Sequence, residues 1–138
     1  MKTGNYRIID KDFWYKIKND FPIGGGVYEL YCMNKYGKTI PVNRMLGTDD
    51  EGLLYIGKAG SFLDRVIELK KSISPDYNSR GHECGARYKA SKGIQEIYPY
   101  ENLFVYLTSS ENERILEIEK LNGYLEKFGE FPPLNRMG

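Results

Sequence analysis

The chain has 138 residues, with 20 Lys+Arg against 19 Asp+Glu, 28% charged and 41% hydrophobic residues, and 12 tyrosines. That length suits one domain around a single core, and the interleaving of apolar with charged residues excludes a disordered chain or a fibrous repeat. Short apolar runs exclude a bilayer span, the charged start MKTGNYRIIDKDFWYK lacks a secretory signal's apolar segment, and Cys32 and Cys84 build no disulfide framework, so a soluble, cytoplasmic domain is expected.

Residues 10–20 (DKDFWYKIKND) read as a short helix that Pro22 ends, because the residue before proline disfavours helical torsions. GGGVYELYCM follows as a strand rich in β-branched and aromatic residues. Residues 34–52 are longer than an ordinary loop and hold either a small strand (TIPV) or a functional insertion, with Asp49–Asp50 as turn formers. LLYIG at 53–57 is a second strand, expected to pair with the first. Ser61 with Asp64 caps a helix through Lys71 whose buried stripe is Phe62, Val66 and Leu69. A polar stretch over 72–93 has room for a short helix at Ala86–Ser91, and NLFVYLT at 102–108 is a third strand. Ser110 with Glu113 opens a last helix, which Gly129 and Pro132–Pro133 end near Phe128. The expected fold class is α/β: a small three-stranded sheet flanked by helices, with 1–23 as an N-terminal extension and 24–138 as the domain.

A formal net charge of +1 hides an asymmetry. Between Asn78 and Lys92, Arg80, Arg87, Lys89 and Lys92 face only Glu83, whereas the last helix begins acidic with Glu111, Glu113, Glu117 and Glu119. Local positive charge suffices for phosphate contact, because counterion release depends on the groups that touch the backbone.

Gly26-Val27-Tyr28 on the first strand and Tyr55-Ile56-Gly57 closing the second resemble the two halves of the GIY-YIG nuclease signature. YIGKAGSFLDR then places Arg65 eight residues after Gly57, an acidic helix follows the third strand, and PPLN ends at Asn135, so the resemblance spans roughly residues 24–136. It implies hydrolysis of a nucleic-acid phosphodiester, DNA being the expected partner, with one divalent ion, Mg²⁺ or Mn²⁺. The residue types suit that chemistry. Arg65 offsets charge on the phosphoryl oxygens, and one carboxylate plus water satisfies a hard cation. Tyr28, lowered from an ordinary pKa of roughly 10 by the cation and Arg65, would take the proton of the attacking water. Tyr55 would hold the phosphate or assist, Asn135 would orient the tyrosine or the backbone around it, and Lys58 would contact phosphate.

The metal ligand is expected at Glu117, which borders a stripe of Leu121, Tyr124 and Phe128, in preference to Glu119. His82, the only histidine, is either an additional general base or leaving-group acid, or a surface histidine in a polar loop. His82 and Arg87 are placed along the cleft, Arg80, Lys89 and Lys92 on nucleic acid, and Cys84 in inert packing. A catalytically silent nucleic-acid-binding or regulatory domain of the same fold is the alternative reading.

Overall fold

The computed structural model describes residues 1–78 and 81–135. In chain order it holds β1 (Thr3–Arg7), α1 (Phe13–Asp20), β2 (Gly26–Cys32), β3 (Val42–Arg44), β4 (Gly47–Asp49), β5 (Leu53–Ala59), α2 (Phe62–Ile73), α3 (Glu83–Ala90), α4 (Lys92–Ile97), β6 (Leu103–Ser109) and α5 (Glu113–Phe128). The α/β class stands, but the main sheet has four strands, ordered β1-β6-β2-β5 and antiparallel throughout. The added strand is β1, which pairs with β6 from Thr3↔Thr108 to Arg7↔Phe104. Its sequence, TGNYR, buries only Tyr6, so main-chain bonds and no apolar stripe define it.

Alternation along the strands divides the sheet between two cores. One face carries Tyr28, Leu30, Cys32, Val105 and Leu107 into a large cluster with Phe13 and Ile17 of α1 and Phe62, Val66 and Leu69 of α2. Each of those fully buried side chains contributes on the order of 1.5–3 kcal/mol. The other face offers Val27 and Ile56 to Tyr124 and Phe128 of α5.

Helix starts follow local chemistry. The Ser61 side chain accepts from the Asp64 amide at 3.4 Å and caps α2, as its sequence predicts. The cap of α5 is Asn112, which accepts from the Ile115 amide at 3.3 Å, and not Ser110 with Glu113; Ser110 Oγ is engaged two residues earlier by the Asn112 amide at 3.1 Å. Gly129 closes α5 in the left-handed region at φ 76°, its amide bonded to the Leu125 carbonyl.

The long connection over 34–52 is a two-stranded ribbon, β3 against β4, in place of a single TIPV strand. Buried Asp49 organises its exit. Its carboxylate accepts from the amides of Glu51 (3.0 Å), Gly52 (3.2 Å) and Leu53 (2.9 Å) and from the Tyr124 hydroxyl (2.9 Å), tying the ribbon to α5 just where β5 begins. The Gly52 amide also reaches the Asp49 main-chain carbonyl at 3.1 Å, so Asp49→Ala would take the partner from the Glu51 and Leu53 amides and the Tyr124 phenol and should cost about 3 kcal/mol. The urea midpoint should drop with an unchanged m value; an unmoved midpoint would show that these bonds contribute nothing.

Candidate functional site

The register of β2 on β5 sets the site. Tyr28 pairs directly with Gly57 and Leu30 with Tyr55, which places both tyrosines on the same face. The pairing then slips: Tyr31 faces Leu53, so Leu54 is the extra residue of a bulge, and Leu54 and Tyr55 both turn toward the large core. The Tyr28 and Tyr55 rings lie 5.9 Å apart. Only a glycine permits this, because a Cβ at position 57 would stand 2.5 Å from Tyr28 Cζ, 2.6 Å from Tyr28 Oη and 2.6 Å from Tyr55 Cε2.

His82 closes the third side. It is fully buried, contrary to the surface-loop reading, and it is the N-cap of α3, its Nδ1 accepting from the Cys84 amide at 3.2 Å. The helix starts three residues earlier than predicted; a polar residue before Glu83 and three small residues was the available signal. His82 Nε2 lies 2.6 Å from Tyr28 Oη, and its ring lies 5.5 Å from that of Tyr55. Arg65, from α2, donates from Nη1 to the Gly81 carbonyl at 3.4 Å and acts electrostatically on Tyr28, Tyr55 and His82 alike.

Asn135 hydrogen-bonds the backbone next to Tyr55. Its Oδ1 accepts from the Ile56 amide and its Nδ2 donates to the Ile56 carbonyl, both at 2.9 Å, while the Leu134 amide donates to the Leu54 carbonyl at 2.8 Å. The C-terminal segment thus acts as a short partner for the free edge of β5 and holds the backbone between Tyr55 and Gly57.

Glu117 is half-buried on α5, within electrostatic range of Tyr55 and Lys58, whereas Glu119 is exposed. Burial raises the Glu117 pKa, with Lys58 opposing. Among the described residues no three His, Cys, Asp or Glu side chains gather as a metal cluster. One desolvated carboxylate is nevertheless the donor set that a largely hydrated hard cation takes, so Glu117 fits Mg²⁺ or Mn²⁺.

In the absence of a cation, Arg65 by itself does not bring the Tyr28 phenol down. Tyr28 is not lowered in the free protein. Burial raises its pKa well above that of an ordinary phenol, Tyr55 adds to the rise, and Arg65 only partly offsets it. Tyr55 is also raised, chiefly by burial, with Tyr28 and Arg65 acting to lower it. His82 is lowered to about 4 by burial, then by Arg65 and Arg87, so it is neutral at pH 7.

The basic candidates separate. Lys58 is exposed and lines, with Ser61, Asp64, Arg65 and Glu113, a depression of about 410 Å³ between α2 and α5. Arg87 is engaged by the Glu83 carboxylate at 3.0 Å and by the Leu134 carbonyl, so it braces the C-terminal segment behind His82. Lys89 donates to the Tyr77 carbonyl and lines a different, larger cavity of about 800 Å³ with Tyr88 and Tyr100, which none of the tyrosine–arginine–glutamate set enters. Lys92 is exposed at the start of α4, and Arg80 lies outside the described residues. Cys84 is buried, and burial raises its thiol pKa. No described helix is long and apolar enough to cross a membrane. Comparison with family models, curated proteins and solved structures finds no match to this chain.

Two outcomes follow from this geometry. Gly57→Ala should overpack the tyrosine pair and cost about 1–3 kcal/mol, read as a lowered urea midpoint; an alanine tolerated without loss would show that the rings have room to part. His82 should also make stability pH-dependent. The folded protein takes up this proton near pH 4 and the unfolded chain near 6.5, so the folded state binds fewer protons in between. The stabilisation is complete above pH 6.5 and is lost as pH falls toward 4. Urea midpoints measured across that window should fall on acidification, and less steeply for His82→Asn.

Proposed function

We propose that this protein is a metal-dependent endonuclease that hydrolyses phosphodiester bonds of nucleic acid, DNA in the first instance. The observation that carries the reading is convergence: Tyr28, Tyr55, Arg65 and Glu117, from four elements and 89 positions apart at the extremes, share one locality. The resemblance of GVY and YIG to the nuclease signature adds the order and spacing of those residues. Glu117 would hold a divalent cation, which would supply Lewis-acid stabilisation of the phosphoryl oxygens. Arg65 offers a guanidinium to the charge that builds on those oxygens as the water O–P bond forms and the bridging P–O bond breaks. Of the two hydroxyls, half-buried Tyr55 is the one nearer solvent, so Tyr55 Oη orients the attacking water by a hydrogen bond, the water's proton passes to bulk solvent, solvent protonates the leaving oxygen, and Tyr28 stays protonated behind it. Lys58, exposed beside Arg65, contacts the flanking phosphate.

Nicking of supercoiled plasmid in Mg²⁺ or Mn²⁺, abolished by EDTA, tests the reading. Arg65→Ala should lower the rate by ~10²-fold or more, as for a lost transition-state charge stabiliser, with the fold retained by circular dichroism. Glu117→Gln should abolish the metal dependence while Glu119→Gln stays near wild type. Full activity in Arg65→Ala would remove the assigned site, and a silent wild-type protein that still binds DNA would favour the binding-domain alternative.

A further inference from the structure

His82 sits between a donor that cannot change and a hydroxyl that can. The Cys84 backbone amide always carries its hydrogen, and it points at Nδ1 from 3.2 Å, so Nδ1 must present its lone pair. A neutral imidazole with an accepting Nδ1 carries its proton on Nε2. That nitrogen lies 2.6 Å from Tyr28 Oη, and both side chains are fully buried, so no water competes for the bond. The Nε2–H therefore donates to Tyr28, and the tyrosine's own proton points away from the imidazole, toward the side occupied by Tyr55.

We propose that His82 is a positioning residue, a fixed hydrogen-bond donor whose tautomer is set by the N-cap of α3, and that it does not accept a proton from Tyr28 in the reaction. This rests on the nuclease reading for the place where the tyrosine pair works. Taking the Tyr28 proton would require Nε2 to be bare, which moves the ring proton to Nδ1 against the Cys84 amide and strips the helix of its cap. The alternative, an imidazolium, would place a cation beside Arg65 of α2 and Arg87 of α3 with no carboxylate on Nε2. Tyr28 of β2, Tyr55 of β5 and Cys84 of α3 are the other titratable groups around the ring. The hydrogen-bond direction runs from backbone amide to imidazole to Tyr28 and outward, so the fold orients the last hydroxyl before the cleft.

Two substitutions separate the two ring nitrogens. Asparagine places an acceptor where Nδ1 stood but does not reach Tyr28, whereas glutamine extends an amide N–H to about the position of Nε2. His82→Asn should keep the fold and lower kcat by ~10²-fold through misplaced tyrosines, with KM little changed; His82→Gln should recover most of that loss. In the wild-type protein, ¹⁵N-histidine NMR should show a protonated Nε2 and an unprotonated Nδ1 across about pH 5 to 8. A ring protonated on Nδ1, or an imidazolium in that range, overturns the inference even where plasmid nicking succeeds. A His82→Asn enzyme of full activity also overturns it. The NMR signature stands without activity, so failure of the nuclease reading is distinguishable from failure of this one.

Discussion

Everything at the candidate site depends on the hydrogen atom that serves as the side chain of Gly57. Tyr28 lies directly across the strand pair from it, and the space a methyl group would fill holds the Tyr28 phenol and the edge of the Tyr55 ring. Two tyrosines two residues apart in register would otherwise stand side by side like any cross-strand aromatics, with their hydroxyls parted. The bulge at Leu54 completes the arrangement by keeping Leu54 in the core without turning Tyr55 away from it. Packing and site geometry are one problem here, solved by one missing side chain and one extra residue.

An edge strand is a poor platform for fixed geometry unless something pairs its free side. β5 is such an edge, and it carries Tyr55, Gly57 and Lys58. The chain solves this from a distance: Leu134 and Asn135 bond the backbone of Leu54 and Ile56, and Arg87 holds the Leu134 carbonyl from α3. Where β5 begins, Asp49 gathers three amides and the Tyr124 hydroxyl. The first half of the strand is thereby pinned from the loop just before it and from the C-terminal segment.

Burial then decides the protonation of what has been assembled. Tyr28 and His82 occupy a dry interior, where the charged form of each is disfavoured, and Arg65 pushes them in directions of its own: it stabilises a phenolate and opposes an imidazolium. The outcome is a neutral pair with a hydrogen bond of one direction, placed behind a half-buried Tyr55 and a half-buried Glu117. A polar pair this deep is stable because each group finds a partner; Ser72 Oγ is the one buried side-chain polar atom among the described residues without one.

By itself, the sequence determined those features that short-range rules encode. Ser61 and Asp64 cap α2, Phe62, Val66 and Leu69 face its core, Gly129 ends α5, and the paired strands around Tyr28 and Tyr55 follow from composition and spacing. Tyr28, Tyr55, Arg65 and Glu117 were singled out as candidates through the resemblance to the nuclease signature, whose order and spacing survive in one dimension. Tertiary structure alone decided the rest. β1 is a strand only because β6 offers it a main-chain edge, and nothing in TGNYR announces that. The choice between a cleft histidine and a surface one stays open for His82 until α3 docks against α2 and seals it from water. Whether Asn135 orients a tyrosine or the backbone around it is open until the chain returns to β5 and its amide meets the two main-chain groups of Ile56. Each of these depends on which distant groups share a dry space, and local propensity carries no information about that.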